Sequence, residues 1–355
     1  MGLEITGRYR YPPPRNDWLA QHTEEIIDPS RPIIDSHHHI WTESQNQYLL
    51  DDFADDVNSG HNLVASVAVQ AHYGYRTEGP EALRCVGETE ELAAIRIAAR
   101  SRGIAADTGA AIVAFADLMM ADRVASVIEA HIAAAPASFR GIRHSVSRDP
   151  HFPEGIVLRP APAGMLAEDR YRAGLATVAG FGLTYDAMLY HRQIPELTAA
   201  ANALPELQVV LDHIGCIIGV GPYEGKESDS FQYWRRAMQD LAQCPNVSVK
   251  LGGFGMIICG AKWHERPRPP GSDELAQAWR PYIENCIELF GADRCMFESN
   301  FPVDKAMYSY AVVWNAFKRV TLGASEAEKD SLFRGTAARI YRIDISPSSL
   351  STKGT

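Results

Sequence analysis

The 355-residue chain has little that would tie it to a polyanion or a membrane. No block of Lys or Arg stands out and the formal net charge is -10, which argues against nucleic acid or an anionic membrane as the main partner. A small anionic ligand is not excluded, because a few local arginines would suffice for one. The longest apolar runs fall well short of a bilayer span. The opening stretch, MGLEITGRYRYPPPRNDW, lacks an apolar h-region, so no signal peptide is expected. The six cysteines (Cys85, Cys216, Cys244, Cys259, Cys286 and Cys295) are scattered and form no C-x-x-C pair. They read as free thiols in a reducing cytoplasm. Cys216 and Cys259 follow strand ends and could lie near a site, although a small buried filler is the ordinary role for such a residue. Internal repeats and low-complexity linkers are also missing, which points to one domain.

What the chain does have is apolar residues, 46% of the total, distributed in a repeating order. Eight short β-rich runs end in polar residues: Ile33–His37, Leu63–Gln70, Ala111–Ala116, Phe139–His144, Phe181–Asp186, Leu207–His213, Val247–Gly252 and Arg294–Ser299. Segments with helical apolar spacing lie between them, several rich in Ala and Leu. Two of these end at Gly103 and Gly291, as helix C-termini often do. Strands alternating with helices imply parallel βαβ units, and eight units imply a single (β/α)8 TIM barrel, an α/β fold. Near-continuous apolar character in the second, third and sixth runs fits strands buried on both faces. Residues 1–30 read as an irregular lead-in, 31–343 as the barrel and 344–355 as a polar tail. A capping-box pattern from Ser325 to Glu328 opens a C-terminal helical extension.

In such a barrel the site lies at the C-terminal ends of the strands, and here almost every strand ends in ionisable or polar residues. These are His37 and His39; Gln70 and His72; Arg140, Arg143 and His144; Tyr185, Asp186 and His191; Asp212 and His213; Lys250; and Glu298, Asn300 and Asp304. In IIDSHHHIW the period of two puts Asp35, His37 and His39 on one face and His38 on the other. Two or three imidazoles plus a carboxylate can hold a divalent cation and leave a position open for water. Arg140, Arg143 and Lys250 could bind a substrate carboxylate or a developing oxyanion. Two loops, Ala71–Cys85 with Tyr73, Tyr75 and Arg76, and Met256–Asp273 with Trp263 and His264, follow strand ends and should overhang the site.

These residues carry a resemblance. D-x-H-x-H at Asp35–His39, RGIRH at Arg140–His144, LDHIG at Leu211–Gly215, VKLGG at Val249–Gly253 and RCMFESNFPVD at Arg294–Asp304 resemble, in the same order, the motifs of the amidohydrolase-2 group of the amidohydrolase superfamily. That group contains lactonases and pyrone-dicarboxylate hydrolases. The resemblance covers about residues 24–343. It implies a barrel hydrolase acting on a lactone or a related cyclic or ester-like carboxylic substrate. His37, His39, His213 and Glu298 would be the metal set. Glu298, His213, Asp304 and Asn300 would be the catalytic set. Gln70, His72, Arg140, Arg143, His144, Tyr185, Asp186, His191 and Lys250 would lie on the substrate side. Family members typically carry an aspartate where this chain has Asn300, which cannot act as an anion, so Glu298 or Asp304 is expected in its place. Zinc suits the imidazole-rich set, with manganese or a metal-free site as alternatives. A decarboxylase, hydratase or carbon–carbon bond hydrolase on an aromatic-derived acid is the competing reaction, and a barrel that binds a ligand without turning it over is the non-enzymatic alternative. The expected partner is a small carboxylate, with no nucleic acid and no membrane. A homo-oligomer is compatible with the fold.

Overall fold

The computed structural model describes residues 12–43, 46–152 and 159–345. Among these, eight parallel strands form one sheet in sequence order. They are β1 (Pro32–His38), β2 (Asn62–Val69), β3 (Asp107–Ala114), β4 (Phe139–Ile142), β5 (Thr184–Ala187), β6 (Gln208–Leu211), β7 (Val247–Leu251) and β8 (Cys295–Phe297). A helix follows each strand: α1 (Leu50–Val57), α2 (Val86–Ser101), α3 (Ala125–Ala134), α4 (Asp169–Gly180), α5 (Ile194–Ala203), α6 (Glu227–Leu241), α7 (Ser272–Phe290) and α8 (Tyr310–Val320). Strand and helix alternate throughout, giving a nearly closed (β/α)8 barrel. Past the ends of the two terminal strands, Asn300 N donates to the His37 carbonyl (2.9 Å) and His39 N donates to the Phe301 carbonyl (2.7 Å). The seam between first and last strands is thus drawn together at the rim, where the polar residues are.

The β2 and β3 runs are buried along nearly their whole length, because helices cover one face and the barrel interior the other. Ile34, Val67, Val113, Val210 and Met296 fill the interior together with Ile340 and Tyr341. The outer layer packs Ile112, Val209, Val249 and Phe297 against the helices. Each fully buried aliphatic side chain contributes on the order of 1.5–3 kcal/mol. The helix signals lie where the sequence puts them. Gly103 and Gly291, at φ 69° and 79°, end α2 and α7 in a backbone region open to glycine. Ser325 and Glu328 form the capping box. The lead-in is tied down: Trp18 Nε1 donates to the Arg266 carbonyl (2.9 Å), and Ser272 N donates to Glu24 Oε1 (2.5 Å). The expected tail lies outside the described residues from 346 onward. No helix among the described residues is long and apolar enough to cross a membrane.

One strand departs from simple alternation. The β1–β2 register shifts between Asp35 and His38, as a β-bulge does. Asp35 therefore does not share a face with His37 and His39. It accepts from Ser299 N (2.9 Å), Ser299 Oγ (2.5 Å) and Tyr310 OH (2.9 Å), and so ties β1 to β8 and α8. His38 is turned outward, stacked on Phe53 of α1 at 4.1 Å and bonded through Nε2 to Ser66 Oγ (2.9 Å).

Candidate active site

At the centre of the rim sits a fully buried lysine. Lys250 Nζ lies 2.6 Å from Asp186 Oδ2 and 3.0 Å from Asp212 Oδ1. Burial alone would lower its pKa, but the two carboxylates raise it, so it stays charged. Asp186 is itself held by Thr184 Oγ1 (2.9 Å) and by Tyr341 OH (2.6 Å), which reaches up from the C-terminal segment. The second cation is Arg143, with one guanidinium nitrogen 3.2 Å from His37 Nε2 and 3.6 Å from Asp212 Oδ2. Its other terminal nitrogen donates to the Gln70 carbonyl.

Asp212 and His213 are neighbours in sequence, and in an extended strand they would point to opposite sides. They do not, because His213 and Ile214 adopt φ 55° and 50°. This left-handed step is costly for residues with a Cβ, and it brings both side chains to the centre. Glu298 Oε1 then accepts from His213 N (3.1 Å) and from His213 Nδ1 (2.7 Å). Gly253, at φ 70°, makes room for the imidazole: a Cβ there would stand 2.6 Å from the His213 ring. Burial alone would raise Glu298, but His213 and then His37 hold it down at about 2. His213 is raised above the ordinary imidazole value by Glu298 and Asp212, against the opposing effect of burial.

The other two histidines are lowered by burial and by neighbouring cationic groups. His39 Nδ1 donates to the Val69 carbonyl (2.8 Å), so its Nε2 keeps a lone pair. That atom is 3.2 Å from His37 Nε2, which also faces the Arg143 donor. His37 Nδ1 lies 3.3 Å from the Lys250 donor and 3.0 Å from Glu298 Oε2, an acceptor. Neither neutral tautomer satisfies this set. A proton on Nε2 opposes Arg143, and a proton on Nδ1 opposes Lys250 and sets two Nε2 lone pairs against each other. Both oxygens of Asp212 and Oε2 of Glu298 are buried without a hydrogen bond. Such lone pairs are costly to bury and are what a divalent cation consumes. His37, Asp212 and His213 offer ligand atoms that all lie within 4.8 Å of one another, so this donor set fits a metal ion.

The expected site residues therefore separate. Seven of them meet at or directly beside the centre: His37, His39, Arg143, Asp186, His213, Lys250 and Glu298. Gln70 stands behind Arg143 through its carbonyl. Asp212 belongs with the centre although it was absent from the expected metal and catalytic sets; its signal was its position directly before His213 in LDHIG. Asn300 and Asp304 form a pair to one side. Asn300 Nδ2 donates to Asp304 Oδ1 (2.9 Å), and Asp304 Oδ2 accepts from Gly255 N (2.9 Å) and Tyr308 OH (2.6 Å). Burial pushes Asp304 up to about 6, and its oxygens are spent on holding a loop. His72 pairs with Tyr75 OH (2.9 Å) and packs on Phe115, which in turn packs on His144. His144 Nδ1 accepts from Leu118 N (3.2 Å), and His191 Nδ1 accepts from Ile218 N (3.2 Å).

Two residues expected on the substrate side point elsewhere. Arg140 donates to the Phe139 and Ala137 carbonyls (2.8 and 2.7 Å); three positions from Arg143 on a strand, it must face the other way. Tyr185 is adjacent to Asp186 and so also faces outward, with its hydroxyl 2.9 Å from that of Tyr171 in α4.

The Amidohydrolase family model matches residues 34–343. A Sinorhizobium fredii protein described as the uncharacterized protein y4mH is 33% identical over 335 residues, 88% of this chain and 98% of that protein. An L-fucono-1,5-lactonase of Burkholderia multivorans is 26% identical over 328 residues, 87% of this chain and 96% of that protein. Among solved structures, an amidohydrolase of Burkholderia multivorans with bound zinc is 25% identical, covers 88% of this chain and 100% of its own, and superposes with a TM-score of 0.68. The match spans every strand of the barrel and all the residues of the centre, and this chain belongs to the amidohydrolase family of hydrolases.

Proposed function

We propose that this protein opens a lactone, with a divalent cation held by His37, His213 and Asp212 and with His39 beside them. The observation that carries the reading is the convergence of Asp212 and Glu298 oxygens that lack a hydrogen bond with the facing Nε2 atoms of His37 and His39. The likeness to an L-fucono-1,5-lactonase along nearly the whole chain supports a cyclic sugar ester as the substrate class. A cation at this position supplies Lewis acidity and a hydroxide at neutral pH; zinc fits the imidazoles, and manganese is the alternative.

The residues of the chain divide the remaining tasks. Glu298 fixes His213 through Nδ1 and leaves Nε2 free to ligate, an arrangement in which a carboxylate orients a metal-binding imidazole. The Asp212 oxygens make ion pairs with Lys250 and Arg143 but no hydrogen bond, so one would ligate while the other accepts the proton of the attacking water and returns it to the ring oxygen as the ester bond breaks. It takes the part that Asn300 cannot. Arg143 presents fixed donors to the developing oxyanion or to a substrate carboxylate. Lys250, clamped by Asp186, keeps Asp212 ionised.

The test is elemental analysis of protein purified without added metal or chelator, beside the His37→Asn variant, followed by assay on five- and six-membered sugar lactones. About one equivalent of zinc or manganese, lost in the variant, with conversion of lactone to hydroxy acid, is the expected result. Carbon dioxide release from an aromatic acid with no lactone opening would move the assignment to a decarboxylase. A folded protein that opens lactones and takes up no metal would leave the site to acid–base chemistry by His37, His213 and Glu298.

A further inference from the structure

Close to His213 along the chain, Cys216 meets a cysteine from a different loop. Cys216 lies at the end of the short turn Asp212–Gly215 that follows β6, and its N donates to the His213 carbonyl (2.8 Å). Cys259 lies in the loop after β7, which begins with the glycines that pack against Glu298 and His213. Their sulfurs are 3.7 Å apart, although the residues are 43 positions apart in sequence. The two loops are already held together by backbone. Gly219 N donates to the Ile258 carbonyl (2.9 Å), and a Cβ on Gly219 would stand 2.4 Å from the Cys259 carbonyl oxygen. The thiols therefore meet at a fixed spacing instead of by chance motion of free loops.

Cys216 is fully buried, while Cys259 is partly exposed and lines a cavity of about 330 Å³ together with Phe254, Trp263, Trp279 and Tyr282. Cys259 thus borders open space with Cys216 shielded behind it; the Cys216 sulfur and then burial push the Cys259 thiol well above its ordinary value, so the pair rests on the fixed meeting of two sulfurs and not on an acidic thiol. The sulfurs of Cys85, Cys244 and Cys295 instead make their hydrogen bonds to His131 and to backbone or amide oxygens.

We propose that Cys216 and Cys259 form a site of reversible oxidation, closing to a disulfide that joins the loop carrying His213 to the loop after β7. A disulfide bond is about 2.05 Å long, so the sulfurs, now 3.7 Å apart, must approach by less than about 2 Å. With hydrogen peroxide as the oxidant, one peroxide oxygen passes to Cys259 Sγ, the O–O bond breaks and water leaves. Cys216 Sγ then attacks the sulfenic sulfur, the S–S bond forms, the S–O bond breaks and a second water leaves. Two thiols and one peroxide become one disulfide and two waters; the sulfurs give up two electrons and both thiol protons. The cross-link narrows the freedom of the segment that holds the His213 imidazole in place.

The full-length protein is exposed to hydrogen peroxide, its remaining thiols are alkylated, and its peptides are mapped by mass before and after dithiothreitol. Six alkylated cysteines before oxidation should become four, with one dithiothreitol-sensitive cross-link between the peptides of Cys216 and Cys259 and a mass loss of about 2 Da before alkylation. The Cys216→Ser and Cys259→Ala variants, each tested separately, should lose the cross-link and leave the other four thiols unaffected. Six alkylated cysteines after exposure, a cross-link between other cysteines, or oxidation of Cys259 in the wild type without pairing would each overturn the proposal. The readout uses no substrate and no metal, so it stands or falls separately from the lactonase assignment.

Discussion

Asp212 and Glu298 are both buried carboxylates beside His37 and His213, but their oxygens are used differently. Glu298 spends Oε1 on His213 twice, while Asp212 has only its ion pairs with Lys250 and Arg143. Replacing each by its amide should separate the roles. Asp212→Asn removes the anionic oxygens placed to take the proton of the attacking water and should lower kcat by about 100-fold or more. Glu298→Gln loosens the orientation of His213 and should weaken metal affinity by about 10- to 100-fold, with activity largely restored by added metal. Steady-state kinetics with and without excess zinc decide this; recovery of Asp212→Asn by added metal would reverse the assignment. The two arginines give a second contrast at this scale. Arg143→Gln should cost about 2 kcal/mol or more of transition-state stabilisation, whereas Arg140→Gln, whose guanidinium caps carbonyls at the start of β4, should leave kcat/KM within about twofold.

Among the elements, β1 carries the most information, because alternation turns three successive histidines to two different sides and its bulge takes Asp35 off the face of His37 and His39. His37→Asn should abolish activity. His38→Asn should leave kcat within a few-fold but destabilise the fold by about 1–3 kcal/mol, since it removes a ring stacked on Phe53 and leaves Ser66 Oγ with Gly109 N alone. Denaturant melts paired with kinetics on both variants test the face assignment, and equal losses of activity would sink it. The turn after β7 gives the converse case. Gly253→Ala should displace the imidazole from Glu298, because the new methyl would meet the His213 ring at 2.6 Å in a left-handed backbone position. The loss should appear in activity and metal affinity before it appears as unfolding in a thermal melt.

For the whole molecule, the site and the stability are linked through pH. Glu298, lowered from 4.5 to about 2, contributes on the order of 3 kcal/mol above pH 4.5, and this is lost as pH falls toward 2. His213, raised above 6.5, contributes fully below 6.5 and loses its contribution as pH rises through its folded value. Metal-free protein should therefore be most stable between about pH 4.5 and 6.5 with respect to this pair. Cation binding must displace the His213 proton, so it should strengthen as pH rises and offset the loss. Thermal melts of apo and metal-loaded protein across pH should diverge above pH 6.5; parallel curves would contradict the link. The barrel also depends on its C-terminus. Tyr341 packs in the interior with Ile34 and Val210 and donates to Asp186, so removing residues from 336 onward should destabilise the entire barrel and disturb the Lys250–Asp186 pair at the opposite end of the same side chains.

The sequence by itself determined the architecture. Eight short β-rich runs, several near-continuously apolar and separated by runs with helical spacing, admit few solutions other than a parallel barrel, and the helix ends at Gly103, Gly291 and Ser325 are local chemistry that needs no tertiary context. It also determined the rim, because strand ends in such a barrel converge wherever the loops run. Tertiary structure decided which of the rim residues meet. Arg140 and Tyr185 were separable from Arg143 and Asp186 by alternation alone, since a strand keeps its phase. Asp35 and Asp212 were not. A bulge in β1 and a left-handed step at His213 each change the phase by one residue, and both are stabilised by contacts from distant segments: Ser299 and Tyr310 hold Asp35, and Glu298 and Gly253 receive His213. A backbone conformation that is locally unfavourable and supported only across the fold leaves no periodic trace in sequence, and that is why Asn300 pointed to Glu298 and Asp304 while Asp212 also stands at the centre.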